Sequence, residues 1–599
     1  MSDHRPAPPS LSRKIAYAAI ATLLGVVVIA GATELSLRWA GYGYSPHFAR
    51  RQKLATGETV WRDNRWCTAP FFTPALVRRP QPFRLEDHKP AGTYRIFVLG
   101  SSAAMGDPDA SFSLSRMLEG LLTAAYPGTR FEVVNAGITA INTHLVRGIA
   151  ADCAQLEPDL FIVYEGNNEV IGPFGPSAVF APFLRSSTLI RMAAWAQGTR
   201  TGQALGAFAR GISRHGDPAK DWGGMQMFLG QQITIDDPRL DSVCAHFAEN
   251  LQAISASAQR AGAHTLLCTV VTNQRDFAPF SSQHRAGLPD AERRQWDADF
   301  AAALAAERTH DPAQAEARFG RALAIDDRYA ELPFRLGRLQ LQLGKNAEGA
   351  ASLQRALDLD ALRFRTDSRL NATIRDVAAH APGTTLVDLA TELAARSAHG
   401  SPGDDLLYEH VHLTFRGTYD AAVQLMPQIG ADLLRRHLAS GPPAKILTID
   451  EMRQRLAFTI YEQATIALEL LNRFRAAPFT GQIDDGLRVR TWQRRFDAAN
   501  AMLSRPEATD YLASTYAAAR RLAPNDWVLE RNAGEMLVAR HRPADAVPLL
   551  QAAAAIIPDD ADTIVALGLA QQALGHTAEA KTAFDTVRRI EPGHPLLPH

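Results

Sequence analysis

A serine in a turn of small residues has the type and position of a nucleophile. The turn reads Gly100-Ser101-Ser102-Ala103-Ala104-Met105-Gly106 and directly follows an apolar run at residues 94–99. A serine that ends a strand and opens a helix lies where α/β folds bind their ligands. Backbone N–H groups at the helix start suit a nucleophile whose attack on a carbonyl generates an oxyanion. The turn therefore makes Ser101 or Ser102 a candidate nucleophile for acyl transfer.

A carboxylate and an imidazole near residue 410 could activate that serine. The segment reads Glu409-His410-Val411-His412 and precedes a predicted helix at residues 419–436. Because Glu409 stands three residues before His412, its carboxylate can accept a hydrogen bond from Nδ1 and leave Nε2 to take the serine proton. The spacing predicts His412 as the general base and Glu409 as the residue that orients it. His410 is the alternative base.

Polar segments follow three further apolar runs. Residues 135–140 (NAGITA) and 166–169 (GNNE) each come after a predicted strand. If these strands are parallel, amide and backbone N–H donors lie at the same sheet edge as Ser102 and can form an oxyanion hole. Asn273 and Arg275 follow a later run at that edge and are weak candidates for substrate binding. A structural role in the loop that leaves the strand explains Asn273 and Arg275 equally well.

Short apolar runs supply the framework that must position these side chains. The runs are apolar throughout, which is typical of strands covered on both faces. Helical stretches such as residues 112–125 and 143–156 fall between them. Strands that alternate with helices predict a parallel α/β sheet. The predicted strands are residues 94–99, 131–134, 160–164, 265–271 and 385–389.

A helical segment interrupts the alternation of strands and helices, and a second helical segment follows the last predicted strand. Each segment repeats with a period of 34 residues. The period and the small residues at helix crossings resemble the tetratricopeptide repeat. Stacked units of this kind form concave docking surfaces, which predicts a protein partner. Within the interruption, Ala315, Phe319 and Ala322 recur as Gly349, Leu353 and Ala356. Near the C-terminus, Gly534, Ala546, Leu550, Ala553 and Pro558 recur as Gly568, Ala580, Phe584, Val587 and Pro592.

The N-terminus carries an apolar run that could cross a membrane. Residues 15–33 are apolar, and Arg13 and Lys14 precede them. About 20 apolar residues span a bilayer, and a cationic flank predicts a cytoplasmic N-terminus. We expect a single-pass inner-membrane anchor with the rest of the chain in the periplasm. The A-x-A-like sequence Ala30-Gly31-Ala32 leaves a cleaved signal peptide as the alternative.

The composition argues against several other functions. The 599 residues include 63 Lys and Arg and 63 Asp and Glu, so the formal charge is zero. A general nucleic-acid binder would carry a basic excess. The four cysteines show no CxxC spacing, which argues against zinc or thioredoxin-like chemistry. Acyl transfer from a serine requires no metal and no organic cofactor, and we expect neither.

In this order along the chain, the four polar blocks resemble those of the SGNH (GDSL-like) hydrolase superfamily. The resemblance covers roughly residues 94–436 without the helical interruption, and it implies a flavodoxin-like parallel sheet. It implies Ser102 as nucleophile, since the family's serine stands four residues before the closing glycine of its block. It also implies oxyanion donors at Asn168, in GNNE where the family usually shows G-x-N-D, and at the backbone of Ala140, with Gly137 three residues earlier.

Two positions depart from the family pattern. The aspartate that usually precedes the nucleophile is replaced by Ser101, which makes Ser101 a rival nucleophile. The final block normally reads D-x-x-H, and here Glu409 stands in place of the aspartate before His412. Serine hydrolases on other folds accept a glutamate as the third member of the triad.

The sequence thus predicts an α/β hydrolase domain with a flavodoxin-like, SGNH hydrolase-like sheet, all-α tetratricopeptide-like repeats and one N-terminal transmembrane helix. We expect a membrane-anchored serine esterase that acts on O-acyl esters, and the resemblance implies acylated small molecules or cell-surface glycans as substrates. An O-acyltransferase with the same site and an inactive repeat-based adaptor are the alternatives. The predicted segments are a cytoplasmic tail (1–14), an anchor (15–36), an irregular lead-in (37–93), the hydrolase domain (94–440) with a helical insertion at about 292–360, and a helical repeat domain (441–599).

Overall fold

The computed structural model describes residues 10–54, 56–72, 76–178, 184–212 and 224–597. The chain divides into two compact units. The central sheet and all the candidate catalytic residues belong to the second unit. The first unit comprises Met1–Pro46, Trp66–Val77 and Ser186–Trp222, and the second comprises His47–Arg65, Arg78–Arg185 and Gly223–His599.

The described residues contain strands in two separate sheets. In chain order the strands are β1 (Ala49–Lys53), β2 (Thr59–Asp63), β3 (Arg84–Glu86), β4 (Thr93–Gly100), β5 (Arg130–Gly137), β6 (Leu160–Tyr164), β7 (His264–Cys268) and β8 (Thr384–Val387). The helices as far as residue 435 are α1 (Leu11–Trp39), α2 (Ser102–Met105), α3 (Leu114–Ala125), α4 (Thr143–Cys153), α5 (Ser187–Gly198), α6 (Arg200–Ile212), α7 (Arg239–Arg260), α8 (Asp290–Arg308), α9 (Pro312–Ile325), α10 (Glu331–Gln342), α11 (Asn346–Leu359), α12 (Ser368–His380), α13 (Leu389–Arg396) and α14 (Phe415–Arg435).

The remaining helices form the C-terminal region. They are α15 (Ile449–Arg455), α16 (Ile460–Phe474), α17 (Asp485–Leu503), α18 (Ala508–Leu522), α19 (Trp527–Ala539), α20 (Pro543–Ile556), α21 (Ala561–Ala573) and α22 (Thr577–Ile590).

Helix α1 is the apolar helix that the N-terminal sequence predicts. It has 29 residues, a stretch with a mean hydropathy of 2.3, and no buried residue. By its length and composition this helix could be a membrane span or a signal sequence. It extends beyond the predicted segment 15–36 at both ends. At its C-terminal end, Glu34 and Arg38 form an ion pair with i, i+4 spacing, which favours continued helix.

Five parallel strands form the central sheet, in the order β5-β4-β6-β7-β8. Counted along the chain, this order is 2-1-3-4-5. All residues of β4 and β6 are buried, in agreement with a sequence that is apolar except at Thr93 and Arg95, and buried Arg95 pairs with Glu132. The prediction of a parallel sheet is confirmed, and each strand begins and ends within three residues of its predicted limits.

Helices cover this sheet in two layers. Helix α3 contacts β4 and β5 and packs against α14. Helix α7 contacts β6 and β7 and packs against α4 and α12. The helices cover the faces of the sheet and not the ends of its strands. The loops that follow the strands can therefore bring their side chains together at one edge.

Two helix pairs, α8–α9 and α10–α11, lie between β7 and β8 in the chain. A buried cluster that includes Trp296, Phe319 and Leu336 holds them together. Gly337 and Gly349 let α10 and α11 approach closely, since a Cβ on Gly337 would lie 2.9 Å from the Gly349 carbonyl oxygen. The small residues of the predicted repeat thus mark a helix crossing.

The C-terminal helices α19–α20 and α21–α22 also pack in pairs. A Cβ on Gly534 would lie 2.5 Å from Leu550, and one on Gly568 would lie 2.6 Å from Phe584. Each of these glycines and its contact residue belong to the predicted 34-residue pattern. The period in the sequence therefore reflects helix pairs that cross at a glycine.

The sequence predicts an irregular lead-in at residues 37–93, but part of this segment is regular. It contains a small antiparallel sheet in which β2 pairs with both β1 and β3. These strands have only three to five residues, and β1 reads ARRQK. Strands so short and polar carry no alternating apolar signal, because only β2 presents buried side chains at several positions.

Candidate active site

The carboxyl ends of β4, β5 and β6 lie side by side. Gly100 pairs with Gly137 in one direction and with Tyr164 in the other. The residues that follow these three strands therefore leave the sheet at the same edge. In open α/β sheets, ligands bind at this edge, beside the point where the strand order reverses.

Two glycines fix the turn that carries Ser102. Gly100 has φ +155, and a Cβ there would lie 2.2 Å from the Tyr164 carbonyl oxygen. Gly106 has a left-handed φ of +96, and its Cβ would lie 2.6 Å from that of Ser113. Between them, Ser102 opens the single turn of α2 and remains partly exposed.

A narrow loop before α14 carries the histidines. Leu407 and Leu413 form an antiparallel bridge, and the Tyr408 N–H donates to the His412 carbonyl at 2.8 Å. The Asn273 N–H donates to the His410 carbonyl at 3.0 Å, which ties the loop to the segment after β7. Backbone contacts thus fix the direction of this loop relative to the sheet.

Ser102, His412 and Glu409 form one hydrogen-bonded chain. Ser102 Oγ lies 2.8 Å from His412 Nε2. His412 Nδ1 contacts Glu409 Oε1, and the Glu409 side chain is fully buried. The three side chains come together although Ser102 and His412 are 310 residues apart in the chain.

The charges at this site favour an ionised glutamate and a basic histidine. Burial opposes the charge on Glu409, but His410 and His412 hold the pKa of its carboxyl well below the ordinary value. Burial also opposes a charge on His412, yet the carboxylates of Glu409 and Asp107 raise its pKa above 6.5. His412 is thus suited to receive a proton on Nε2 while Glu409 stays anionic.

The sequence did not predict two charged residues that border the triad. Asp107 Oδ2 lies 3.4 Å from His412 Nε2. Arg473, on α16, donates from Nη2 to Asp107 Oδ1 at 2.9 Å and from Nη1 to Oδ2 at 3.2 Å. Arg473 Nη1 also lies 3.8 Å from Glu409 Oε1. Burial opposes the charge on Asp107, but His412 and Arg473 lower the pKa of its carboxyl.

Ser101, the alternative nucleophile, and His410, the alternative base, lie in different environments. Ser101 is buried beside Glu165, where it opposes the rise in the pKa of that carboxyl. His410 lies among Phe277, Phe280, Phe364 and Phe479, with ring centroids 5.1 to 6.1 Å away. Burial lowers the pKa of His410, and its Nδ1 contacts Glu409 Oε2.

The predicted oxyanion donors lie on the segments that follow β5 and β6. Asn168 is buried and donates one amide hydrogen to the Ile141 carbonyl at 2.9 Å. An amide carries two hydrogens, so this contact occupies half of its donor capacity. Ala140 has a left-handed φ of 60, an uncommon backbone conformation for alanine. Gly137 is the last residue of β5, and a Cβ there would lie 2.5 Å from the Met105 nitrogen.

The weak substrate candidates make contacts within the protein. Asn273 is fully buried and donates to Asp404 at 2.8 Å. Arg275 donates to Asp276, to Asp405 and to two backbone carbonyls of residues 398 and 401. These bonds join the segment after β7 to the loop before the histidines, and a role in substrate binding stays a prediction.

A pair of buried glutamates lies behind the nucleophile turn. Burial and the neighbouring Glu169 raise the pKa of Glu165 well above its ordinary value. Burial raises the pKa of Glu169 to about 7, although Thr143 donates to it through both its N–H and its hydroxyl.

Within the described ranges, no group of three or more His, Cys, Asp or Glu side chains could hold a metal ion.

A cavity of about 590 Å³ lies next to these elements but does not include Ser102 or His412 in its lining. Strand β5 and helix α3 form one wall, and the segment around Asp526 and Trp527 forms another. Arg116 lines this cavity and pairs with Asp526 and with Glu119. The C-terminal helices thus contact the sheet region through charged side chains.

Comparison with known proteins identifies the C-terminal helices. The tetratricopeptide repeat family matches residues 537–597. This region contains tetratricopeptide repeats. The match covers α20 to α22, including the pair that crosses at Gly568, and it supports a repeat-based protein-interaction scaffold. It lies outside the residues that resemble SGNH hydrolases, so that resemblance stays a prediction.

Two solved structures that the comparison finds are named as tetratricopeptide repeat proteins. The complex of the TPR2AB domain of yeast Sti1 with pHSP90 shows 12% identity and a TM-score of 0.14, and it covers 50% of this chain and 91% of that one. A repeat protein from Parabacteroides merdae shows 15% identity and a TM-score of 0.16, with 50% and 94% covered. Scores of this size do not establish a common fold. No curated protein matches the sequence.

Proposed function

We propose that this chain is a serine esterase of the SGNH type that acts on O-acyl esters. The observation that carries the proposal is the 2.8 Å separation of Ser102 Oγ and His412 Nε2, with buried Glu409 on the other ring nitrogen. A His–Glu ion pair at the protein surface would not be expected to lie within hydrogen-bond distance of a serine at the end of a strand. The strand order 2-1-3-4-5, which is that of flavodoxin-like sheets, supports the same reading.

The reaction uses these groups in two half-reactions. Ser102 Oγ attacks the ester carbonyl carbon while its proton passes to His412 Nε2. The tetrahedral intermediate collapses, the bond from carbonyl carbon to alkoxy oxygen breaks, and His412 returns the proton to the departing alcohol. Water then attacks the acyl-serine with His412 as base, which releases the carboxylic acid and restores Ser102. Glu409 holds the imidazole and stabilises its charged form.

Backbone and amide donors near Ser102 stabilise the oxyanion in this proposal. The second amide hydrogen of Asn168 and the N–H groups of Ser102 and Ala140 are the donors. The loss of one such donor from a serine hydrolase typically costs about 10²–10³ in kcat.

The same site can transfer the acyl group instead of hydrolysing the ester. If a sugar hydroxyl replaces water in the second half-reaction, the enzyme is an O-acyltransferase. The resemblance to SGNH hydrolases suggests O-acylated cell-surface glycans as substrates, and the repeats suggest a protein partner. Release of acetate from an acetylated glycan, measured with and without a sugar acceptor, separates the two reactions.

Labelling with a fluorophosphonate probe tests the proposal, because the probe reacts only with an activated serine. We expect wild type and Ser101→Ala to form the adduct, and Ser102→Ala and His412→Ala to lose it. Thermal unfolding of each variant checks that the fold is intact. If folded wild type forms no adduct, the esterase is excluded and the repeat-based adaptor, which the family match favours, replaces it. If only Ser101→Ala loses labelling, the nucleophile assignment is wrong by one residue.

A further inference from the structure

The helices α5 and α6 expose an unusual number of large apolar side chains. Trp195 is 74% exposed and Phe208 is 69% exposed. Leu189, Met192 and Leu205 are also more than half exposed. On α5 the spacing of residues 189, 192 and 195 places the side chains along one face. Soluble surfaces rarely present such a patch unless a membrane or another protein covers it.

The charges on the same helices have a single sign. Residues 187–212 contain Arg191, Arg200 and Arg210 and no Asp, Glu or Lys. A helix pair with tryptophan, leucine and phenylalanine on its apolar side and only arginine as charge has the composition of an interfacial membrane segment. Arginine attracts anionic headgroups, and indole favours the boundary between headgroups and acyl chains.

The corner between the two helices is tight. Thr199 Oγ1 donates to the Ala196 carbonyl at 2.7 Å and accepts from the Gly202 N–H at 2.9 Å. A Cβ on Gly202 would lie 1.9 Å from the Ala196 carbonyl oxygen. This corner turns α5 back on α6, so the pair acts as one hairpin.

The hairpin is bonded to the end of α1. Glu34 on α1 accepts from the N–H groups of Arg200 and Thr201 at 3.1 and 2.9 Å, and from the Thr201 hydroxyl at 3.0 Å. A carboxylate at the first N–H groups of a helix is a favourable cap. Gln203 adds two hydrogen bonds to the backbone of Tyr44, each at 2.9 Å.

This attachment is at the edge of the apolar segment. Glu34 directly follows the apolar run 15–33, and Trp39, the last residue of α1, is 93% exposed. If α1 spans a bilayer, Glu34 and Trp39 lie near the level of the headgroups. The bonds to α6 then hold the hairpin at the same level.

We propose that the α5–α6 hairpin lies in the interfacial layer of the membrane that α1 crosses, with its apolar face toward the acyl chains and the exposed Arg191 toward anionic headgroups. The occupant of the exposed face is lipid. The proposal does not depend on the esterase activity, since it uses only residues of the first unit.

Quenching of Trp195 by brominated lipid tests this placement. The full chain is reconstituted in vesicles of phosphatidylcholine with a minority of phosphatidylglycerol, and their acyl chains are brominated near the headgroup. We expect Trp195→Phe to remove a component of the emission that the brominated lipid quenches and that aqueous iodide does not. As a control, Trp296→Phe should remove a component that the lipid does not affect, because Trp296 is 2% exposed in the second unit.

Two results would overturn the proposal. If iodide and not brominated lipid quenches the Trp195 component, the face lies in water. If neither quenches it, protein covers the face. The double variant Leu205→Ser with Phe208→Ser gives a second measurement, in which weaker insertion should raise the iodide quenching of Trp195. No rise in the double variant would show that α6 does not insert.

Discussion

At the residue scale, one carboxylate serves two imidazoles. Glu409 Oε1 contacts His412 Nδ1, while Oε2 contacts His410 Nδ1 and accepts from the Val411 N–H at 3.2 Å. His410 is held among phenylalanine rings, so it fixes the plane of the carboxylate. His410, the first histidine of the E-H-V-H segment, is therefore a positioning residue for Glu409 in the proposed site.

The pH dependence of the esterase should report His412. Only the neutral imidazole can accept the serine proton, so kcat/KM for a soluble ester should fall as the pH drops through the pKa of His412. That pKa is raised above 6.5. Glu409 has a pKa well below its ordinary value, so it should add no inflection near neutrality. An acid limb with its midpoint below 6.5 would contradict this account.

At the element scale, a helix of the C-terminal region completes the surroundings of the triad. Helix α16 carries Arg473 to Asp107, which follows the nucleophile turn. On the same side, Arg488 of α17 lies over the Phe277 ring at 4.2 Å, and Gln482 donates to the Ala278 carbonyl at 3.0 Å. The helices that lead into the repeats thus pack on the loops of the proposed site.

Opposite substitutions in this ion pair should move the acid limb in opposite directions. Asp107 raises the pKa of His412 and Arg473 lowers it. We expect Asp107→Asn to shift the midpoint of kcat/KM to lower pH and Arg473→Gln to shift it to higher pH. The pH profiles of the purified variants measure both shifts.

The matched control is Arg475→Gln. Arg475 is exposed just after the same helix and pairs with Gln493 at 2.9 Å. Its removal should leave the midpoint unchanged. A loss of activity in both ion-pair variants with no shift in pH midpoint would mean that the pair only supports the fold.

At the scale of the whole molecule, the repeats contact distant parts of their own chain. Asp559, between α20 and α21, pairs with Arg62 and, at 2.7 Å, with Arg50 from the small antiparallel sheet. Asp526 pairs with Arg116 of α3. Part of the repeat surface is therefore occupied within the second unit, and the proposed protein partner would have to bind the remainder.

The N-terminal helix should remain on the mature chain. We expect that the chain extracted from membranes begins before residue 15, because the apolar segment of α1 is long for a signal peptide and continues without a break to Trp39. Intact-mass and N-terminal peptide analysis of the protein expressed in a bacterial host measures this. A mature terminus just after Ala32 would identify α1 as a cleaved signal peptide.

The local features could be predicted from the sequence because they depend on neighbouring residues. Continuous apolar runs identified the strands, a fixed offset of 34 residues identified the helix pairs, and one apolar run identified α1. The spacing of Glu409 and His412 also gave their contact, since three residues within one loop keep the side chains close. The three short strands β1, β2 and β3 were not predicted, because ARRQK, TVWRD and RLE contain too few apolar residues to give a strand pattern.

The tertiary structure alone decided which distant groups meet. Ser101 and Ser102 are adjacent and identical in type, so residue type does not distinguish them; the backbone of the turn places Ser102 against His412 and Ser101 beside Glu165. Arg473 and Asp107 are 366 residues apart, and no periodicity connects them. Such contacts depend on how the loops leave the sheet and how the helices pack on those loops. The spacing of residues along the sequence does not predict that geometry.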